Sequence, residues 1–205
     1  MALNLSPVEA RVLGCLIEKD MATPEYYPMS ANALMNACNQ KTNREPVVSF
    51  DESEVRDALD ALREKNLAIF VRESGNRVEK YRHALSERFN FTRGETALLG
   101  VLLLRGPQTA AELRDRTHRM HNFDDPEMAT RDLERLAARE PEPLAVLLPR
   151  QPGQKEARWA HLLCGPPDLA APAALDPGPR QDRLAALEAE VASLRADFEQ
   201  FKSQF

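Results

Sequence analysis

Apolar residues fall at helical spacing near the start of the chain. Val8, Val12, Leu13, Leu16 and Ile17 share one face. Ser6, Pro7 and Glu9 form a capping box with proline at the first helical position, so the spacing predicts a helix opening at Ser6. The loop MATPEYYP follows, its two prolines and two tyrosines indicating an ordered excursion. Ser30 caps a short second helix to Ala37, with Ala31, Leu34 and Met35 inward. Residues 38–50 are polar and irregular, and Pro46 blocks a helix there. Asp51 caps a third helix whose Val55, Ala58, Leu59 and Leu62 face in, with Asn66 as a C-terminal cap. LAIFVRE and VEKYRHAL then read as two short strands around Ser74-Gly75-Asn76, a hairpin.

The pattern then repeats. LSPVEARVLGCL (5–16) returns as FTRGETALLGVL (91–102), so that Glu9, Leu13, Gly14 and Leu16 recur as Glu95, Leu99, Gly100 and Leu102. SANAL returns as TAAEL, SFDESE as NFDDPE and KYRHAL as RWAHLL. Thr92 with Glu95 and Thr109 with Glu112 are capping boxes, and Asp125-Pro126 opens a third helix. LAVLLPR and EARWAHLL form the second hairpin, around Gln151-Pro152-Gly153. A repeat of this length is a duplicated domain. Three helices followed by a two-stranded hairpin is the element order of a winged helix-turn-helix. The expected fold is α+β, mainly α: tandem winged-helix domains over 1–88 and 89–165, joined by a few residues around Glu87–Asn90 and packed together.

After Gly165 the composition changes. Residues 166–179 form a Pro-rich, semi-rigid linker. Leu184, Leu187, Val191, Leu194, Phe198, Phe201 and Phe205 then alternate three- and four-residue steps, the core seam of a coiled coil over 180–205. That seam predicts a homodimer, with folding back in cis as the alternative.

Hydrophobic content of 43% and charged content of 29% suit an ordinary globular chain. No apolar run reaches the ~18 residues of a membrane span, and the N-terminus lacks the pattern of a secretory signal. Cys15, Cys38 and Cys164 form no motif spacing for zinc or for a disulfide framework, and Cys15 reads as a small core residue. These features point to the cytoplasm, with no membrane, metal or cofactor. The net charge of −5 argues against nonspecific nucleic-acid binding. Its distribution is uneven: −2 over residues 1–90, 0 over 91–165 and −3 over the tail.

Candidate chemistry follows the charges. The first copy's third helix offers Arg56 and Arg63 outward but shares that face with Glu52, Asp60 and neighbouring carboxylates. The second copy is better suited to double-stranded DNA. Arg131 and Arg135 lie on its third helix, Arg114, Arg116 and Arg119 on or just after its second, and Arg150, Lys155 and Arg158 flank its wing. Thr130, Glu134, Arg139 and His118 accompany them, and the bland alternative is a set of ordinary surface arginines. The loop Asn39, Gln40, Lys41, Thr42, Asn43, Arg44 is the oddest local feature. It reads either as a ligand or partner surface anchored by Lys41 and Arg44, or as Asn39 and Asn43 ordering a long loop through the backbone. His83 and His161 repeat in register with Tyr81 and Trp159 and read as structural. No nucleophile–base pair or Gly-rich phosphate loop is visible, so no enzyme is expected.

The stretch YYPMSANALMNACNQKTNREPVVSF, most specifically Cys38 to Val47 followed by DESEVRDAL, resembles the signature of the YceH-like family of uncharacterised bacterial proteins. The resemblance spans residues 5–165 and the C-terminal helix. It implies tandem winged helices and cytoplasmic residence, with no established activity. VRDALDALREKNLAIF also resembles winged-helix transcription regulators in a generic way, and the pair of copies is similar to the tandem winged helices of chromosome-partitioning adaptors, which work mainly through protein contacts. Two functions are therefore carried forward: a DNA-binding, regulator-like module, and a protein-interaction adaptor that leaves DNA untouched.

Overall fold

The computed structural model describes residues 3–72 and 78–167. The expected coiled-coil residues Leu184 to Phe205, and all but the first two positions of the expected linker, lie outside the described residues.

The first copy contains α1 (Pro7–Ala22), α2 (Ala31–Cys38) and α3 (Glu52–Glu64), then β1 (Ala68–Val71) and β2 (Lys80–His83). A short helix, α4 (Leu85–Phe89), leads into the second copy: α5 (Arg93–Arg105), α6 (Ala110–Thr117), α7 (Pro126–Ala137), β3 (Ala145–Leu147) and β4 (Trp159–His161). The chain is mainly helical α+β, with two small antiparallel sheets. Capping decides where the helices begin. Ser6/Glu9, Asp51/Glu54, Thr92/Glu95 and Thr109/Glu112 all form reciprocal capping boxes. Asn66 ends the turn after α3 in the left-handed region (φ 54°), which asparagine tolerates.

Each hairpin pairs in register, Ala68 opposite His83 and Ala145 opposite His161. Each also gains a one-residue third strand just before the second helix of its copy. Met29 exchanges backbone hydrogen bonds with Tyr81 (3.0 and 2.7 Å), and Gln108 does the same with Trp159 (3.0 and 2.7 Å). Tyr81 and Trp159 occupy corresponding repeat positions, and both are buried.

Where a bare link was expected around Glu87–Asn90, α4 forms instead. Asn90 caps it in the left-handed region. Phe89 stacks on Phe91 (centroids 5.1 Å apart), and Arg139 lies over both rings. Arg139 also donates to the Phe89 carbonyl at 2.6 Å, so it sits past the end of α7 and serves this junction rather than the outer face of that helix.

The stripe expected on α1 is only part of its buried surface. Every residue from Glu9 to Ile17 is buried, as is every residue of α5 from Gly94 to Leu104. Each helix packs against its own copy on one side and against the other central helix on the other. Glycine makes the approach close. A Cβ on Gly14 would lie 3.0 Å from Leu103 Cβ, and one on Gly100 would lie 2.8 Å from Ile17 Cγ2. Gly14 corresponds to Gly100 and Ile17 to Leu103, so the two contacts are the same contact seen from either side.

Candidate binding surfaces

The polar loop of the first copy is held from beneath. Arg11 on α1 is buried and donates to the Cys38 carbonyl at 3.1 Å and the Pro46 carbonyl at 2.6 Å. Arg44 folds inward as well. Its Nε donates to the Ala37 carbonyl (3.0 Å), Nη1 to Glu18 Oε1 (3.1 Å) and the Asn43 carbonyl (2.9 Å), and Nη2 to Glu18 Oε2 (2.6 Å) and Gln40 Oε1 (3.0 Å). Arg44 was expected at the loop surface. It is only 6% exposed, because its fork matches the Glu18 carboxylate and oxygens of Ala37, Gln40 and Asn43 accept from it as well. Burial pushes the Glu18 carboxyl up, but Arg44 outweighs it and holds the group below its usual range.

Asn39 closes the loop's base, donating to the Phe50 carbonyl at 2.7 Å and accepting from Phe50 N at 2.8 Å. Asn43, at φ 60°, accepts from Arg105 of the second copy, and Glu45 N donates to the Leu104 carbonyl at 2.9 Å. Gln40, Lys41 and Asn43 remain at the surface or near it. Beneath the loop lie Cys15 and Cys38, both buried and distant in sequence, each affecting the other's ionisation. Burial opposes the Cys15 thiolate, but Cys38 and the two guanidiniums lower its pKa overall, while Cys38 is pushed up.

On α3 and α7 carboxylates outnumber arginines, and each arginine has a carboxylate partner. On α3, Arg56 pairs with Glu52 at 2.6 Å rather than with Asp60, which is taken by Arg63 at 2.8 Å. On α7, Arg131 pairs with Glu127 at 3.6 Å and Arg135 with Asp132 at 2.8 Å. The other arginines of the second copy fare alike: Arg114 pairs with Asp115 (2.6 Å), while Arg116 (3.8 Å) and Arg158 (3.0 Å) both reach Glu112. Arg119, Arg150 and Lys155 are exposed, with no ion pair among the described residues. The eight positions are spread over several elements, with Arg116 and Arg158 meeting at Glu112. Arg131 and Arg135 lie on α7, Arg150 and Lys155 in the second hairpin turn, and Arg116 and Arg119 at the end of α6.

Two of the sequence-level sets do meet. Gln40, Lys41 and Asn43 from the loop share a cleft of about 480 Å³ with Arg116 and Arg119 from the end of α6. Lys19 and Arg105, the last-turn cations of the two central helices, complete the rim. Sequence reasoning missed those two, although they are corresponding repeat positions that each bring a cation to a helix C-terminus. A second groove, beside α3, is lined by Asp60, Arg63, Ala68, Ile69 and Phe70. No cluster of potential metal ligands occurs among the described residues, and no helix among them is long and apolar enough to cross a membrane.

His83 and His161 have different surroundings at one repeat position. His83 is buried with its Nε2 3.2 Å from Asp20 Oδ2. His161 has an unpartnered Nδ1 among the described residues, and burial lowers its pKa to about 4.

Residues 5–154 match the family described as "Protein of unknown function, DUF480". The chain belongs to that family. It is 54% identical to a UPF0502 protein of Geobacter sulfurreducens across the whole of both chains. A UPF0502 protein of Solibacter usitatus is 52% identical, again over all of each chain. One from Aeromonas hydrophila is 47% identical over 97% of this chain and 95% of its own. The DUF480 family is widespread among bacteria and uncharacterised, so function rests on the surfaces described above.

Proposed function

We propose that residues 1–88 and 89–165 are tandem winged helix-turn-helix domains and that the chain is a non-enzymatic, cytoplasmic protein-interaction adaptor. The observation that carries this reading is the lack of excess positive charge on α3 and α7, where carboxylates outnumber arginines. These are the helices such a fold would lay in a major groove, where a phosphate backbone calls for an excess of cations. Each outward guanidinium on them is instead held by a carboxylate of its own helix. The groove beside α3 supports the same reading. β2 lies between β1 and Met29, so no strand among the described residues pairs with the outer edge of β1. Ile69 is exposed there, as is Leu147 on the other hairpin. An open strand edge with apolar side chains suits an extended peptide added as a further strand. The heptad seam from Leu184 to Phe205 would supply self-association, checked by sedimentation of Leu187→Glu/Leu194→Glu, which should run as a monomer.

The test titrates the full chain against labelled random-sequence duplex DNA by anisotropy at low and physiological salt. No binding is expected in either. A protein partner captured by wild type should be lost with Ile69→Arg, an exposed substitution that keeps the fold. Binding to duplex with a steep salt slope would overturn the adaptor reading. That result would favour the second reading, DNA recognition by the second copy, which rests on Arg119, Arg150 and Lys155, exposed and without an ion pair among the described residues. In that case Arg131→Ala/Arg135→Ala/Arg158→Ala should abolish binding.

A further inference from the structure

In the cleft between the copies of this acidic chain, cations outnumber carboxylates. Lys19, Lys41, Arg105, Arg116 and Arg119 line it, against two carboxylates, Glu18 and Asp115. Both carboxylates are already engaged, Glu18 by Arg44 and by Lys19 at 3.5 Å and Asp115 by Arg114 at 2.6 Å, while Arg116 reaches Glu112 at 3.8 Å. Lys41 and Arg119 have no ion pair among the described residues, and Arg105 bonds only the neutral amide of Asn43. Burial and the nearby charge of Arg116 disfavour the protonated form of Arg105, as expected where positive charge is under-compensated.

The floor of the same cleft is apolar. Val101, Leu104 and Met120 come from the second copy and Ala22 from the first. About 480 Å³ lies in the range of small-ligand sites, and a few convergent polar groups over an apolar floor is their usual composition.

We propose that this cleft binds a small organic phosphate, with the phosphoryl oxygens on Lys41, Arg105 and Arg119 and the organic body over Val101, Leu104 and Met120. The guanidinium fork suits a phosphate's oxygens, and the lysine adds a point charge. Because one wall comes from each copy, the ligand bridges them. The site is independent of the adaptor reading, since neither α3 nor the β1 edge takes part.

The test is calorimetric titration of the full chain at low salt with three probes: ADP, inorganic pyrophosphate and adenosine. ADP should bind, pyrophosphate about tenfold or more weakly, and adenosine more weakly still. Lys41→Gln/Arg119→Gln removes two exposed groups that hold no fold contact, so the variant should unfold at the wild-type temperature. It should lose ADP affinity by about a hundredfold, as expected for two charged hydrogen bonds. Absence of heat with both ADP and pyrophosphate would overturn the proposal, as would undiminished ADP binding by the folded variant. Pyrophosphate binding as tightly as ADP would overturn the organic half of the assignment. Random-sequence duplex that binds through Lys41 and Arg119 while ADP does not would show a polynucleotide surface in its place.

Discussion

The two copies share an element order and differ in what lies under the connection from second to third helix. In the first copy that connection runs from Asn39 to Asp51, over a buried floor of Arg11, Cys15, Glu18, Cys38 and Arg44. In the second it runs only from His118 to Asp125. The repeat positions that match Arg11, Cys15 and Glu18 are Ala97, Val101 and Leu104, all apolar and buried. The comparison shows a fold that needs no polar machinery to form, carrying it in one copy to hold a long loop in one shape. The same contrast recurs at the histidines. Asp20 accompanies His83, and its counterpart is Gly106, so His161 is half-buried without an acid at that position.

The sharpest way to break the contrast is to cut the latch. Arg44→Ala leaves the half-buried Glu18 carboxylate with Lys19 alone, at 3.5 Å, and should cost less than the ~3–5 kcal/mol of breaking a fully buried ion pair. Urea denaturation should show that loss. Glu18→Leu/Arg44→Met, which gives the first copy the apolar floor of the second, should recover most of it. A double variant no more stable than Arg44→Ala would mean the latch is not a pair.

The second effect concerns acid. The folded-state pKa of His161, about 4, lies below its ordinary 6.5. Between those values the unfolded chain takes a proton that the folded chain refuses. The contribution is therefore fully present above about pH 6.5 and lost as pH falls towards 4, amounting to about 3 kcal/mol at the lower end. Urea midpoints across that window should fall less steeply for His161→Leu than for wild type. Equal slopes would place the titration elsewhere.

A smaller loss is expected at the seam between the copies. Gly100→Ala improves helix propensity by about 0.5–1 kcal/mol, but its methyl would meet Ile17 Cγ2 at 2.8 Å. Overpacking of about 1–3 kcal/mol should win, lowering the melting temperature. A rise in melting temperature would show that the helices can part at little cost. Smallest of all, Arg131→Ala breaks an exposed pair at 3.6 Å and should shift stability by less than about 1 kcal/mol.

Local chemistry made most of the elements legible. Ser6, Asp51, Thr92, Thr109 and Asp125 announce their helices because a cap needs only neighbours within one turn. The hairpins follow from alternation around turn residues. What escaped depends on partners distant in the chain. Arg44 looks like a loop cation until Glu18, 26 positions earlier, is known to lie beneath it. α4 escaped because five residues carry too little periodicity, and it is fixed by Phe91 and Arg139 from the second copy. The cleft was half visible. The loop and the α6 arginines each drew notice, but their meeting is set by the packing of α1 on α5.

That packing has a consequence of its own. A seam in which Gly14 faces Leu103 while Gly100 faces Ile17 is the self-complementary interface that two identical chains make about a twofold axis. Here both halves lie in one polypeptide. Two separate copies of one gene product must change together, since any substitution appears on both sides of the axis. Covalent joining lifts that constraint: Glu18 could acquire Arg44 while Leu104 stayed apolar, and the cleft between the halves could become lopsided.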